Sequence, residues 1–165
     1  MKKILTIIFL FFTLNTFSLD ISLEGGYLNS TNEKKYDGWY LQSAIPLYRF
    51  SSTLHISGEP FFHIIDGTLD PGVMININKE FPLTSEWSFI IFGGLGFMYL
   101  NTYDTSQHDN FNFKENIGLG LSYLLSPDVT ITLRGTIWHI SNAGITDRNP
   151  GIDGNTVGIS IKKSF

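Results

Sequence analysis

A histidine and a serine stand two residues apart in His139-Ile140-Ser141-Asn142-Ala143-Gly144, and an acid closes the nearby run Asn149-Pro150-Gly151-Ile152-Asp153. Imidazole, hydroxyl and carboxylate are the groups that hydrolytic nucleophile chemistry combines. The ring takes the proton of the attacking hydroxyl and returns it to the leaving group, while the acid orients the ring and stabilises its cation. Residues two apart on a strand point the same way, so His139 and Ser141 share a face if a strand carries them. The oxyanion of such a reaction needs hydrogen-bond donors; Asn142 and the Gly144 amide are the candidates nearest in sequence.

The elements that must hold these residues read as strands. Eight segments of alternating character lie near 20–29, 37–48, 52–64, 68–79, 86–101, 111–125, 128–141 and 154–165. Most reach the ~9–11 residues that a tilted membrane-spanning strand requires. Turn residues separate them, among them Asn32-Glu33-Lys34-Lys35, Asp66-Gly67, Ser126-Pro127-Asp128 and Asn149-Pro150-Gly151. In the last segment Val157, Ile159 and Ile161 oppose Thr156, Gly158, Ser160 and Lys162. In the seventh, Val129, Ile131, Leu133 and Ile137 oppose Thr130, Thr132, Arg134 and Thr136. The sixth sets Ile117, Leu119, Leu121 and Tyr123 against Lys114, Asn116, Gly118 and Ser122, and the fourth sets Val73, Ile75 and Ile77 against Asp70, Asn76 and Asn78. The fifth is apolar on both faces. This pattern predicts an all-β fold: an eight-stranded antiparallel transmembrane β-barrel, apolar toward lipid and polar toward the lumen, with no sheet edge left open.

Residues 1–18 read as a secretory leader, with Lys2 and Lys3 before an apolar run from Ile4 to Leu14 and small residues at Thr16-Phe17-Ser18. The barrel domain is then 19–165. The chain carries 11 basic and 15 acidic residues, and loss of Lys2 and Lys3 takes its net charge from −4 to −6. That balance argues against a nucleic-acid partner, and the absence of cysteine excludes disulfides and thiolate metal sites. An even strand count puts both termini on the periplasmic side and the segments 30–36, 65–67, 102–110 and 142–153 outside.

On this frame His139 and Ser141 share the parity of Leu133 and Ile137 at the outer end of the seventh strand. Asp153 enters the eighth with the parity of Val157. The three are expected to meet on the outer wall near the interface. A charge on the lipid face costs ~2–4 kcal/mol at the midplane but ~0–1 near the interface. A polar trio facing lipid suits a substrate that is itself a lipid.

The run from His139 to Gly144 with Asn149 to Asp153 resembles the signature of the outer-membrane lipid A 3-O-deacylases, the PagL-like acyloxyacyl hydrolases. Weaker likeness runs through Ser57-Gly58-Glu59-Pro60 and Gly93-Gly94-Leu95-Gly96 to the end of the chain. The resemblance implies an eight-stranded barrel whose exterior site removes the ester-linked 3-hydroxyacyl chain at position 3 of lipid A, without metal or other cofactor. It makes His139 the base, Ser141 the nucleophile and Asp153 the acid, with Asn142, Gly144 and Asn149 supporting. Lipid A or lipopolysaccharide is then the substrate and outer-membrane lipids the surroundings; a homodimer is compatible with the sequence. One position departs from the family pattern, which carries glutamate where this chain has Asp153. Aspartate is a methylene shorter, so a loop shift is expected if it is to reach His139; Asp147 is the substitute.

Two other readings stand beside this one: a non-catalytic structural or adhesive barrel, and another outer-membrane lipid hydrolase or acyltransferase. A structural barrel has no need of the trio. Elsewhere, Glu59, Arg134 and His55 are expected to form a polar lumen network. His63 and His108 are expected to be solvated, and Trp39, Trp87, Tyr99 and Trp138 to supply interfacial girdles. Asp104 and Asp109 are weak candidates for a divalent ion. Gly93-Gly94-x-Gly96 fits close backbone packing in a strand, since no helix follows it.

Overall fold

The computed structural model describes residues 20–32, 36–102, 110–145 and 150–165. Residues 1–18, expected to be a leader, and Asn149, Asp147, His108, Asp104 and Asp109 lie outside the described residues. Eight antiparallel strands form one closed barrel in sequence order: β1 (Asp20–Ser30), β2 (Gly38–Ser51), β3 (Leu54–Ile65), β4 (Thr68–Pro82), β5 (Trp87–Tyr99), β6 (Phe111–Ser126), β7 (Val129–Ser141) and β8 (Ile152–Ser164). Closure pairs β1 with β8, from Asp20 opposite Ser164 to Ser30 opposite Gly154.

The period-two reading sorts the wall. Leu133, Ile137, Val157, Ile159 and Ile161 are exposed, as are Val73, Ile75, Ile77, Ile117 and Leu119. Asp70, Asn76, Asn78, Lys114, Ser122, Thr132 and Arg134 are buried in the lumen. On β5 the odd residues face out and Phe92, Gly96 and Met98 face in. Gly94 sits so close to Asn76 that an added Cβ would lie 2.2 Å from its Oδ1. Asp66 and Gly67 both have positive φ, 49° and 79°. That is the conformation of a two-residue hairpin whose twist suits the flanking strands, so a very short turn serves at that end.

Strand β2 departs from simple alternation. β2 runs to Ser51 because it carries two register shifts, between Pro46 and Tyr48 and between Arg49 and Ser51. Each bulge inserts an unpaired residue, so Leu47, Tyr48 and Phe50 are all exposed. Trp39, Trp87 and Tyr99 are exposed on the wall, but Trp138 is not a girdle residue. Its indole is buried in the lumen, where Gly154 opposite it leaves the room: a Cβ there would meet Trp138 Cζ2 at 2.2 Å.

The lumen is stratified. Toward the outer mouth an apolar cluster includes Leu28, Tyr36, Phe61, Trp138, Ile140 and Ile152. Below it Arg134 Nη1 meets Glu24 Oε2 at 2.7 Å and Glu59 Oε2 at 3.7 Å. Toward the termini lies a polar cavity of about 110 Å³ lined in part by His55, Ser57, Glu59 and Arg134.

His63 is buried rather than solvated. Tyr36, from the connection between β1 and β2, folds over the lumen and covers it. Lys114 Nζ lies 2.8 Å from His63 Nε2, and the Tyr36 hydroxyl 3.1 Å from Nδ1. An ammonium donating to Nε2 leaves the ring proton on Nδ1, directed at the Tyr36 oxygen. Burial pushes the Tyr36 hydroxyl well above its ordinary range, and the nearby Asp70 carboxylate raises it further.

Candidate active site

β7 brings the site up along its outer face. Trp138 and Ile140 point in and anchor the strand end; His139 and Ser141, between and beyond them, take the opposite face with Ile137. The barrel register sets Asp153 opposite His139 on β8 and Glu115 opposite it on β6. Ser141 lies opposite Phe113. The strand rise carries it about 7 Å along from the histidine on the same face.

His139 Nδ1 lies 2.7 Å from Asp153 Oδ1, with the two side chains 40% and 53% exposed. The shorter acid therefore reaches the ring, because β8 begins at Ile152 and holds Asp153 within the ladder. With the carboxylate on Nδ1, that nitrogen carries the proton and the neutral ring keeps its lone pair on Nε2. Among the described residues the hydrogen bond joins ring and carboxylate; Ser141 stands beside the pair rather than bonded to it.

The floor under the ring is Gly151, at φ 70°. A Cβ there would lie 2.4 Å from His139 Cε1, so this position needs glycine both for its backbone and for the ring packed on it. Asp153 is held from the far side by the end of β1. Its N–H donates to Asn32 Oδ1 at 2.8 Å, and Asn32 Nδ2 donates to Asp153 Oδ2 at 3.1 Å and to the Gly151 carbonyl at 3.3 Å. The Thr31 amide and hydroxyl both donate to the Asp153 carbonyl, at 2.8 and 3.1 Å.

Asn142 and Gly144 are placed differently from free oxyanion donors. Asn142 is buried, on the opposite side of the chain from Ser141, and its Oδ1 accepts the Gly144 amide at 3.0 Å. Its carbonyl accepts the Ile145 amide at 3.2 Å, and Ala143 and Gly144 both take positive φ. The pair shapes the turn that follows the serine.

Asn32 and Glu115 were the residues that sequence reading passed over. Glu115 shares the parity of Ile117 and Leu119, and a carboxylate in an apolar-facing set was a signal. Asn32 is 121 positions from Asp153; only the closure of β1 onto β8 joins them. Phe97, Phe111 and Phe113 form a ring cluster with centroids 5.4–5.9 Å apart on the same outer wall.

The sequence model of the family described as lipid A 3-O-deacylase (PagL) matches residues 11–162. Over 94 residues the chain is 36% identical to the lipid A deacylase PagL of Bordetella bronchiseptica, covering 53% of this chain and 50% of that protein. The chain thus spans about half the length of that curated relative. Among solved structures, Neisserial surface protein A (NspA) superposes with a TM-score of 0.63 at 12% identity, over 89% of this chain and 96% of the other. The outer membrane enzyme PagL superposes with a TM-score of 0.60 at 18% identity, over 86% and 97%. At such identities the two likenesses show the shared barrel fold. The breadth of the family match settles the assignment: the chain belongs to the lipid A 3-O-deacylase (PagL) family of outer-membrane β-barrels.

Proposed function

We propose that this chain hydrolyses the ester that joins a 3-hydroxyacyl chain to position 3 of lipid A, with Ser141 as nucleophile, His139 as base and Asp153 as the acid that orients the ring. The observation that carries the reading is the 2.7 Å contact from His139 Nδ1 to Asp153 Oδ1, made on the outer face of a barrel strand beside a serine. Ser141 Oγ attacks the acyl carbonyl while Nε2 takes its proton. The tetrahedral oxyanion collapses, the acyl–oxygen bond breaks, and the sugar oxygen leaves with the proton from the imidazolium. Water then adds to the acyl-serine by the same route and releases the hydroxy fatty acid. Water is the only reactant needed besides the lipid.

The surroundings support a lipid substrate. Ile137 and the cluster of Phe97, Phe111 and Phe113 offer acyl chains an apolar wall next to the serine. Asn142 and Gly144 act by holding the turn after Ser141, and Asn149, from the same connection, is assigned a supporting part with them.

The test is mass spectrometry of lipid A exposed to the wild type and to Ser141→Ala in detergent micelles. The wild type is expected to release one 3-hydroxy fatty acid per lipid A. Ser141→Ala is expected to release none, a loss of at least about 10⁴-fold, while still showing the heat-dependent gel shift of a folded barrel. Undiminished turnover by Ser141→Ala overturns the assignment of the nucleophile, and intact lipid A after wild-type treatment overturns the reaction.

A further inference from the structure

We propose that Asn32 is a positioning residue for this reaction, resting on the reading above: its side chain fixes which oxygen of Asp153 faces His139 and holds the floor on which the ring lies. One amide makes three contacts, to the Asp153 backbone, to Asp153 Oδ2 and to the Gly151 carbonyl. Both residues it grips touch the imidazole: Asp153 through Oδ1 and Gly151 from below.

The physical need is clear from the acid itself. The terminal torsion of an aspartate is soft and broad, so a half-exposed carboxylate swings unless something holds it. Asn32 Nδ2 occupies Oδ2, which leaves Oδ1 for the ring. The carbonyl of Asp153 is pinned at the same time by Thr31. Aspartate has little reach to spare, so its backbone and its rotation must both be fixed for the 2.7 Å contact to persist. The clamp comes from the far end of the chain, which makes the β1–β8 seam part of the reaction geometry.

Asn32→Ala and Asn32→Asp separate this role from a mere loop tie. Asn32→Asp keeps an acceptor for the Asp153 N–H but replaces the donor to Oδ2 with a second carboxylate. Steady-state turnover of lipid A in micelles is expected to show kcat lowered about 10- to 100-fold by Asn32→Ala, with KM within about twofold. Asn32→Asp is expected to lose at least as much. Wild-type kcat in Asn32→Asp overturns the proposal, as does a change confined to KM. A second readout does not depend on turnover: ¹⁵N spectra of histidine-labelled protein, with the His139 signals identified by their absence in His139→Gln. The wild type is expected to show the Nδ1-protonated ring and Asn32→Ala a shift toward the other tautomer; unchanged signals overturn the proposal. An inert wild type would instead remove the reaction reading, and the tautomer measurement would then decide the role of Asn32 by itself.

Discussion

Strand β7 carries two nitrogen–carboxylate contacts five residues apart, and they face opposite ways. Arg134 points into the lumen, against Glu24 and Glu59, and its guanidinium carbon lies 3.8 Å from the centroid of the Phe92 ring. The oxygens of those carboxylates are also occupied: Tyr40 donates to Glu24 at 2.6 Å, and Gln42 and Ser57 each donate to Glu59 at 2.5 Å. His139 points out, against Asp153, and both of those side chains are about half exposed. A buried, fully partnered group is costly to break because its partners are left charged and dry. An exposed pair contributes only about 0–1 kcal/mol to stability. Breaking the inner pair is therefore costly, whereas the outer pair adds little to stability. In the proposed reading, the three contacts from Asn32 serve the geometry at the ring.

The sharpest way to break this contrast is Asp153→Asn. It keeps the shape and removes the charge that favours the Nδ1-protonated ring, so kcat is expected to fall about 10³- to 10⁴-fold, with KM and the urea-unfolding midpoint little changed. A comparable fall in stability would erase the difference between the two pairs. Arg134→Met is the converse. It strands Glu24 and Glu59 in the lumen and is expected to cost about 3–5 kcal/mol in urea unfolding from micelles, while the folded fraction turns over lipid A at a near wild-type rate. Undiminished stability would show that the inner network is not what holds the strands. The smallest effect is expected from Gly151→Ala. The left-handed backbone costs about 1–2 kcal/mol for a residue with Cβ, and the methyl displaces the His139 ring, so kcat is expected to fall about tenfold. Kinetics alongside unfolding distinguish the displaced ring from simple strain.

Much of this was legible in the residues because strand alternation is a local property. The assignment of Leu133, Ile137 and Val157 to one wall and of Arg134, Thr132 and Thr156 to the lumen needs only a period of two. The same rule placed Glu59 with Arg134. The expectations that missed either met a break in the period or set parity aside. The bulges of β2 break the period and prolong the strand. His63 has the inward parity of Glu59, but its position at a strand end suggested water; Tyr36, arriving from another connection, seals it in. Trp138 has inward parity too, and the usual preference of tryptophan for the interface suggested otherwise. The space opposite Gly154 decided the matter. Asn142 is next to Ser141 in sequence, and alternation sends it to the other side, where its Oδ1 accepts the Gly144 amide.

The sequence alone determined which side chains share a face and that a histidine, a serine and an acid sit at the same end of neighbouring strands, because side-chain direction along a strand is set by the chain itself. Only the tertiary structure decided who touches whom. The β7–β8 register puts Asp153 against the ring, and closure of β1 onto β8 brings Asn32 across 121 positions to hold it. Register and closure are won by the packing of all eight strands together, and no short stretch of residues encodes them.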